Sequence, residues 1–233
     1  MGGIADNIQL IRDRIAATAL ACGRQPEEIT LVVVSKNFPA ECIHEAIAAG
    51  QFHFGENRVQ EAESKIPGFR ATPDLHWHMI GHLQSNKAQR AAELFDVIHS
   101  VDSVKLARRL SQAAVSLGKI IPILIQVDLG HEETKFGAER REVADITNAI
   151  LNLQGLRLDG LMTIPPYFEE PDHARPYFAA LRELSHSLAG EMPGCLGHGN
   201  LSMGMSHDFE AAIQEGATIV RIGTAIFGER SRG

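Results

Sequence analysis

Apolar residues recur at helical spacing from the start of the chain. Ile4, Ile8, Ile11, Ile15 and Ala19 share one face and Gly23 offers a left-handed stop, which predicts an amphipathic helix over residues 3–22. From Thr30 onward the period changes, and short β-branched runs alternate with stretches of helical periodicity. "TLVVVS" precedes "PAECIHEAIAAG", with Pro39 at a first turn and Gly50 beyond the last, and "FHFGE" precedes "NRVQEAESKI". The alternation continues through "LHWHMIG", "DVIHSV", "IPILIQVDL", "LRLDGLMTI" and "GNLSMG", each with a helix candidate after it, and "ATIVRIGTAIFGE" closes the pattern. Eight strand candidates of the parallel, apolar type predict a (β/α)8 TIM barrel over residues 30–230, plugged or flanked by the opening helix. One domain over residues 1–233 is expected. A doubly wound open sheet is the alternative, but no G-x-G-x-x-G follows the first strand.

Composition narrows the classes of function. With 233 residues, 44% of them apolar and 22% charged, the chain can bury a large core and reads as a soluble globular protein. A formal charge of -7 argues against a grip on phosphate backbones, so no nucleic-acid partner is expected. Cys22, Cys42 and Cys195 are odd in number, widely spaced and free of any C-x-x-C pair, as in reduced thiols of a cytoplasmic protein. Asp6, Arg12, Asp13 and Arg14 interrupt the first helix, unlike the centre of a signal peptide. No run approaches the roughly 18 apolar residues of a membrane span, so no membrane partner is expected.

The candidate chemistry lies at strand ends. "LVVVSKNF" delivers Lys36 to the carboxyl end of the first strand, where barrel active sites open. The ordinary alternative is a stem packed on apolar surface with its head in water. At the last two strand ends, small residues Ser202, Gly204, Ser206, Gly223 and Thr224 leave backbone free to approach a ligand, in the place where such barrels commonly hold a phosphate. Turn and capping roles, with Ser206 or Asp208 as an N-cap, explain the same residues without a ligand. A primary amine facing a phosphate cradle is what pyridoxal phosphate requires. His76 and His78 raise a metal-dependent hydrolase as a competing class, since H-x-H puts both rings on one strand face. The sixth and eighth strand ends supply no further histidine or carboxylate, so no metal site is expected. His82 is expected in a loop hydrogen-bond network.

"VVVSKNFPAECIHEAIAAGQFHFGENRVQEAESKI", "WHMIGHLQSNK", "QVDLGHEETKFG" and "LSMGMSHDFEAAIQEGATIVRIGTAIFGER" closely resemble the pyridoxal phosphate homeostasis protein family, single-domain relatives of the alanine racemase barrel. The resemblance runs from about Ile29 to Arg230. It implies pyridoxal 5'-phosphate as cofactor, held by Lys36 as a Schiff base. It further implies Ser202, Ser206, Gly223 and Thr224 at the phosphate, Arg221 at the pyridine nitrogen, Asn57 and His78 along the ring, and Met203 and Met162 as walls. Asp128 and His207 stand where relatives usually carry an asparagine and an acid.

The implied role is intracellular homeostasis of the cofactor by a monomer, with pyridoxal phosphate and apo-enzymes that accept it as partners, and no efficient catalysis. A low-activity racemase is the alternative. Two-base racemisation needs a second acid/base opposite the lysine, which alanine racemases take from a separate domain of the partner subunit. Tyr167 and Tyr177 follow the sixth strand, and Tyr177 has the spacing of a packing residue with Leu181 and Leu184. Arg221, always a donor, would keep the pyridine nitrogen unprotonated and the ring a weak electron sink. Lys135, in the polar segment "GHEETKFG" with Glu132 and Gly137, has two readings: an ordinary solvated surface lysine, or a cation that draws the cofactor toward an acceptor.

Overall fold

The computed structural model describes residues 2–130 and 136–228. Helix α1 (Ile4–Ala21) opens the chain, and strands and helices then alternate: β1 (Thr30–Val34), α2 (Ala40–Ala48), β2 (His53–Glu56), α3 (Val59–Lys65), β3 (His76–Met79) and α4 (Ala88–Leu94). They are followed by β4 (Val97–Val101), α5 (Val104–Ser116), β5 (Ile121–Asp128), the two-residue β6 (Ala138–Glu139), α6 (Val143–Leu151) and β7 (Leu156–Met162). The described chain ends with α7 (Arg175–Glu191), β8 (Asn200–Ser202), α8 (Phe209–Gln214), β9 (Ile219–Ile222) and α9 (Thr224–Phe227).

Eight parallel strands close into a ring in the order β4-β3-β2-β1-β9-β8-β7-β5, and β4 pairs back to β5 through Ile98 and Ile123. The expected (β/α)8 barrel is therefore present. β6 lies outside the ring, extending β5 through Val127 and Ala138. Strand alternation divides the core in two. On β1, Leu31 and Val33 face the surrounding helices, while Val32 points inward and packs with Leu124, Met162 and Ile219. This double burial is why the strands read as unbroken apolar runs.

Helix α1 flanks the barrel. Its Ile8, Ile11, Ile15 and Ala19 are almost fully buried. Its polar residues link the first and last units: Asn7 donates to the carbonyl of Ile226 at 2.8 Å, and Arg12 donates to those of Ala49 and Gly50 at 3.0 and 2.7 Å. The closing apolar run differs from its sequence pattern. The strand stops at Ile222, and "TAIF" forms the short helix α9. A Cβ on Gly223 would lie 3.1 Å from the Val34 carbonyl oxygen, so the chain turns tightly against β1 at that point. No helix among the described residues is long and apolar enough to cross a membrane.

Candidate cofactor site

Lys36 leaves the end of β1 in a turn clamped from behind. The Ser35 amide donates to the Gly55 carbonyl at 3.1 Å, and its hydroxyl donates to Glu56 at 2.8 Å. Lys65 on α3 donates to the Ser35 carbonyl at 2.8 Å and to the carboxylates of Glu56 and Glu61 at 3.0 and 2.6 Å. The amide of Asn37, held at φ 63°, donates to Glu61. Glu56 is fully buried, and desolvation raises its pKa against the pull of Lys65. These bonds fix the backbone on both sides of Lys36.

A cavity of about 280 Å³ opens at the carboxyl ends of the strands. Lys36, Asn57, Ser206, Arg221, Gly223 and Thr224 line it together, with apolar walls from Val34, Phe38, Ile80 and Ile164. Asn57 is held there by a close approach: a Cβ on Gly81 would meet the Asn57 carbonyl oxygen at 2.2 Å, so only glycine lets the loop after β3 lie against it. The loops after β8 and β9 are joined by the Ser206 hydroxyl, which accepts from the Ala225 amide at 3.3 Å. The Thr224 amide has no acceptor among the described residues.

Arg221 forms the floor. It points inward from β9 and is 3% exposed. Its Nη1 donates to the Ser202 hydroxyl at 2.6 Å, and its Nη2 donates to the Thr163 carbonyl at 3.0 Å. Burial lowers its pKa to about 10, opposed by Asp208, so it remains a cation at neutral pH. Asp208 is buried too. Desolvation raises its pKa, against the Met205 amide that it accepts at 2.6 Å and the charge of Arg221.

Six of the expected residues thus share one cavity, and four lie elsewhere. His78 and Ser202 sit inside the barrel beneath Arg221, where the Ser202 hydroxyl is occupied by Arg221 and His99. Met203, one residue further along, turns outward into the core under the helices. Met162 lies in the inner core. No motif in the sequence marks the walls at Val34, Ile80 and Ile164, although Val34 stands two residues before Lys36 on the same face. Tyr167 also lines the cavity, 78% exposed and 5.5 Å from the ring of His207. His82 is 3.5 Å from Asp102 and stacks on Phe136. Among the described residues no group of three or more His, Cys, Asp or Glu could hold a metal ion. Glu132 and Lys135 lie outside the described residues.

Residues 4–231 match the family of the alanine racemase N-terminal domain. The pyridoxal phosphate homeostasis protein of Escherichia coli strain K12 is 45% identical over 232 residues, covering 99% of this chain and 98% of its own. The chain belongs to the pyridoxal phosphate homeostasis protein family. A member from Aquifex aeolicus is 43% identical, with 97% of each chain covered. Among solved structures, PipY of Synechococcus elongatus superposes with a TM-score of 0.87 without pyridoxal phosphate and 0.85 with it bound. In both comparisons it is 41% identical, and 97% of this chain and all of that one are covered. An alanine racemase of Clostridium difficile shares the fold at 17% identity and a TM-score of 0.70, covering 97% of this chain and 56% of that one.

Proposed function

We propose that the mouth cavity binds pyridoxal 5'-phosphate and that the protein buffers and hands on this cofactor without efficient catalysis of its own. The observation that carries this reading is the meeting, in one cavity, of the Lys36 amine, the hydroxyls of Ser206 and Thr224 beside Gly223, and the Arg221 guanidinium. That donor set fits the cofactor. When bound, the cofactor supplies an aldehyde that a primary amine can capture with loss of water. Lys36 is the amine. Ser206, Thr224 and the Thr224 amide supply donors for a dianionic phosphate, at the point where Gly223 turns the chain tightly against β1. Asn57 and the apolar walls would hold the ring and exclude water from its faces. Arg221 can only donate, so it sets the protonation of any nitrogen it faces.

A racemase needs a second acid/base held opposite Lys36 and within hydrogen-bond reach of the same carbon. Tyr167 is the nearest candidate in type, but its side chain stands in solvent, and its ring contact is to an exposed histidine. This favours holding over turnover. Cytoplasmic apo-enzymes that require the cofactor would be the acceptors. An absorbance titration tests the reading: pyridoxal phosphate should bind far more tightly than pyridoxal, because the cradle serves the phosphate. Equal affinity for the two aldehydes would remove the cradle from the account.

A further inference from the structure

Inside the barrel, below Arg221, a single hydrogen-bonded column crosses from one end to the other. His53 Nδ1 lies 3.1 Å from His78 Nε2, His78 Nδ1 lies 2.9 Å from His99 Nε2, and His99 Nδ1 lies 2.9 Å from the Ser202 hydroxyl. Arg221 Nη1 completes it, 2.6 Å from the same hydroxyl. The rings come from β2, β3 and β4, whose Phe54, Trp77, Met79 and Ile98 face the helices, so alternation turns the histidines inward. The pairing of His53 with His76 and of His78 with Val97 makes each ring sit above the last. At the lower end, His53 lines a second opening of about 400 Å³ with Arg12, Thr30, Gly50 and Gln51.

The direction of the protons follows from the end that cannot change. A guanidinium has no acceptor, so Ser202 must accept from Arg221. If the Ser202 proton goes to His99 Nδ1, that ring carries its own proton on Nε2 and donates to His78 Nδ1. His78 then donates from Nε2 to His53 Nδ1, and every group from the Ser202 hydroxyl to His53 Nδ1 has its partner. The reverse order, with His99 donating to Ser202, leaves the buried Ser202 proton without an acceptor, which is unfavourable for a buried donor.

We propose that His99, His78 and His53 are positioning residues. In this proposal they form a column of neutral imidazoles, each protonated on Nε2, that presents lone pairs toward Arg221. They thereby hold its guanidinium cationic and aimed so that its remaining donors reach the mouth cavity. The bearing on the cofactor rests on the reading above; the proton order does not. Burial supports neutrality: His53 is lowered to about 4, with His76 beside it, and His99 to about 3, with Arg221 beside it. His78, surrounded by His99, His53 and His76, is lowered well below its ordinary value. Because an arginine closes the column, it cannot pass protons to the mouth; it fixes orientation only.

Nitrogen NMR of the cofactor-free protein at pH 7 tests the order directly. Each of the three rings should show an unprotonated Nδ1 and a protonated Nε2. An Nδ1-protonated tautomer at His99 or His78, or an imidazolium at either, overturns the proposal. In His99→Leu the Arg221 Nη protons should lose their slowed exchange, and affinity for pyridoxal phosphate should fall about tenfold, as expected for one broken buried network bond. In His99→Gln, which keeps an acceptor and a donor, both should be largely restored. Unchanged Arg221 signals and affinity in His99→Leu would make the column a mere filling of the barrel. Should that variant fail to fold, the tautomers of the wild-type rings still decide the proposal. A wild type that shows the expected tautomers but binds no cofactor refutes the functional reading alone.

Discussion

At the scale of single residues, the two ends of the cofactor cavity differ in how the sequence reveals them. Lys36 is legible because the strand that carries it is so apolar that a terminal ammonium stands out. Thr224 and Ser206 are legible only together with the barrel, which says what loops after its last strands do. Thr224→Val should weaken binding of pyridoxal phosphate roughly tenfold to a hundredfold, since a charge-assisted hydrogen bond is worth about 1.5–3 kcal/mol. An absorbance titration reads it, and affinity within twofold of wild type would place the phosphate elsewhere. Ser202 shows where residue-level reading stops. A serine at a strand end suits a phosphate and an interior hydrogen bond equally, and only the inward turn of β8 gives its hydroxyl to Arg221 and His99. His53 and His99 carry no signal in the sequence because each sits alone in its strand; the column exists only once neighbouring strands are in register.

Among the elements, periodicity located the helices and strands that form the barrel and the amphipathic α1. It could not locate β6, whose two residues lie outside the ring, or the break after Ile222 where β-branched residues continue into a helix. In that case a close backbone approach overrode local propensity. The loop after β3 depends on a similar approach at Gly81, where the three atoms nearest to an added Cβ all belong to the Asn57 backbone, at 2.2–2.8 Å. Backbone cannot yield as a side-chain tip can. Gly81→Ala should therefore cost about 2–4 kcal/mol of stability and displace Asn57, which lines the cavity. Urea unfolding with and without cofactor checks both effects. A variant as stable as wild type would show that the loop relaxes freely.

For the whole molecule, placing three neutral histidines inside the barrel links stability to pH. Unfolded, a histidine titrates near 6.5, whereas in the fold His53 and His99 titrate near 4 and 3 and His78 well below its ordinary value. Between those limits the unfolded chain binds protons that the folded chain refuses. Stability is therefore fully present above about pH 6.5 and is lost as the pH falls, by about 1.4 kcal/mol per pH unit for each such ring. Glu56 and Asp208, raised by burial, act in the opposite sense and offset part of the loss. Urea melts of His99→Gln between pH 5 and 7 should show a slope shallower by about one proton; an unchanged slope would mean that His99 is protonated in the fold. The central claim, that one cavity joins Lys36 to a cofactor cradle, has a more direct test. Purified protein loaded with pyridoxal phosphate is reduced with borohydride, digested and mapped by mass spectrometry. The account predicts a single stable cofactor adduct on Lys36, absent from Lys36→Ala although that variant stays folded. An adduct on another lysine, or one that persists in Lys36→Ala, would contradict it.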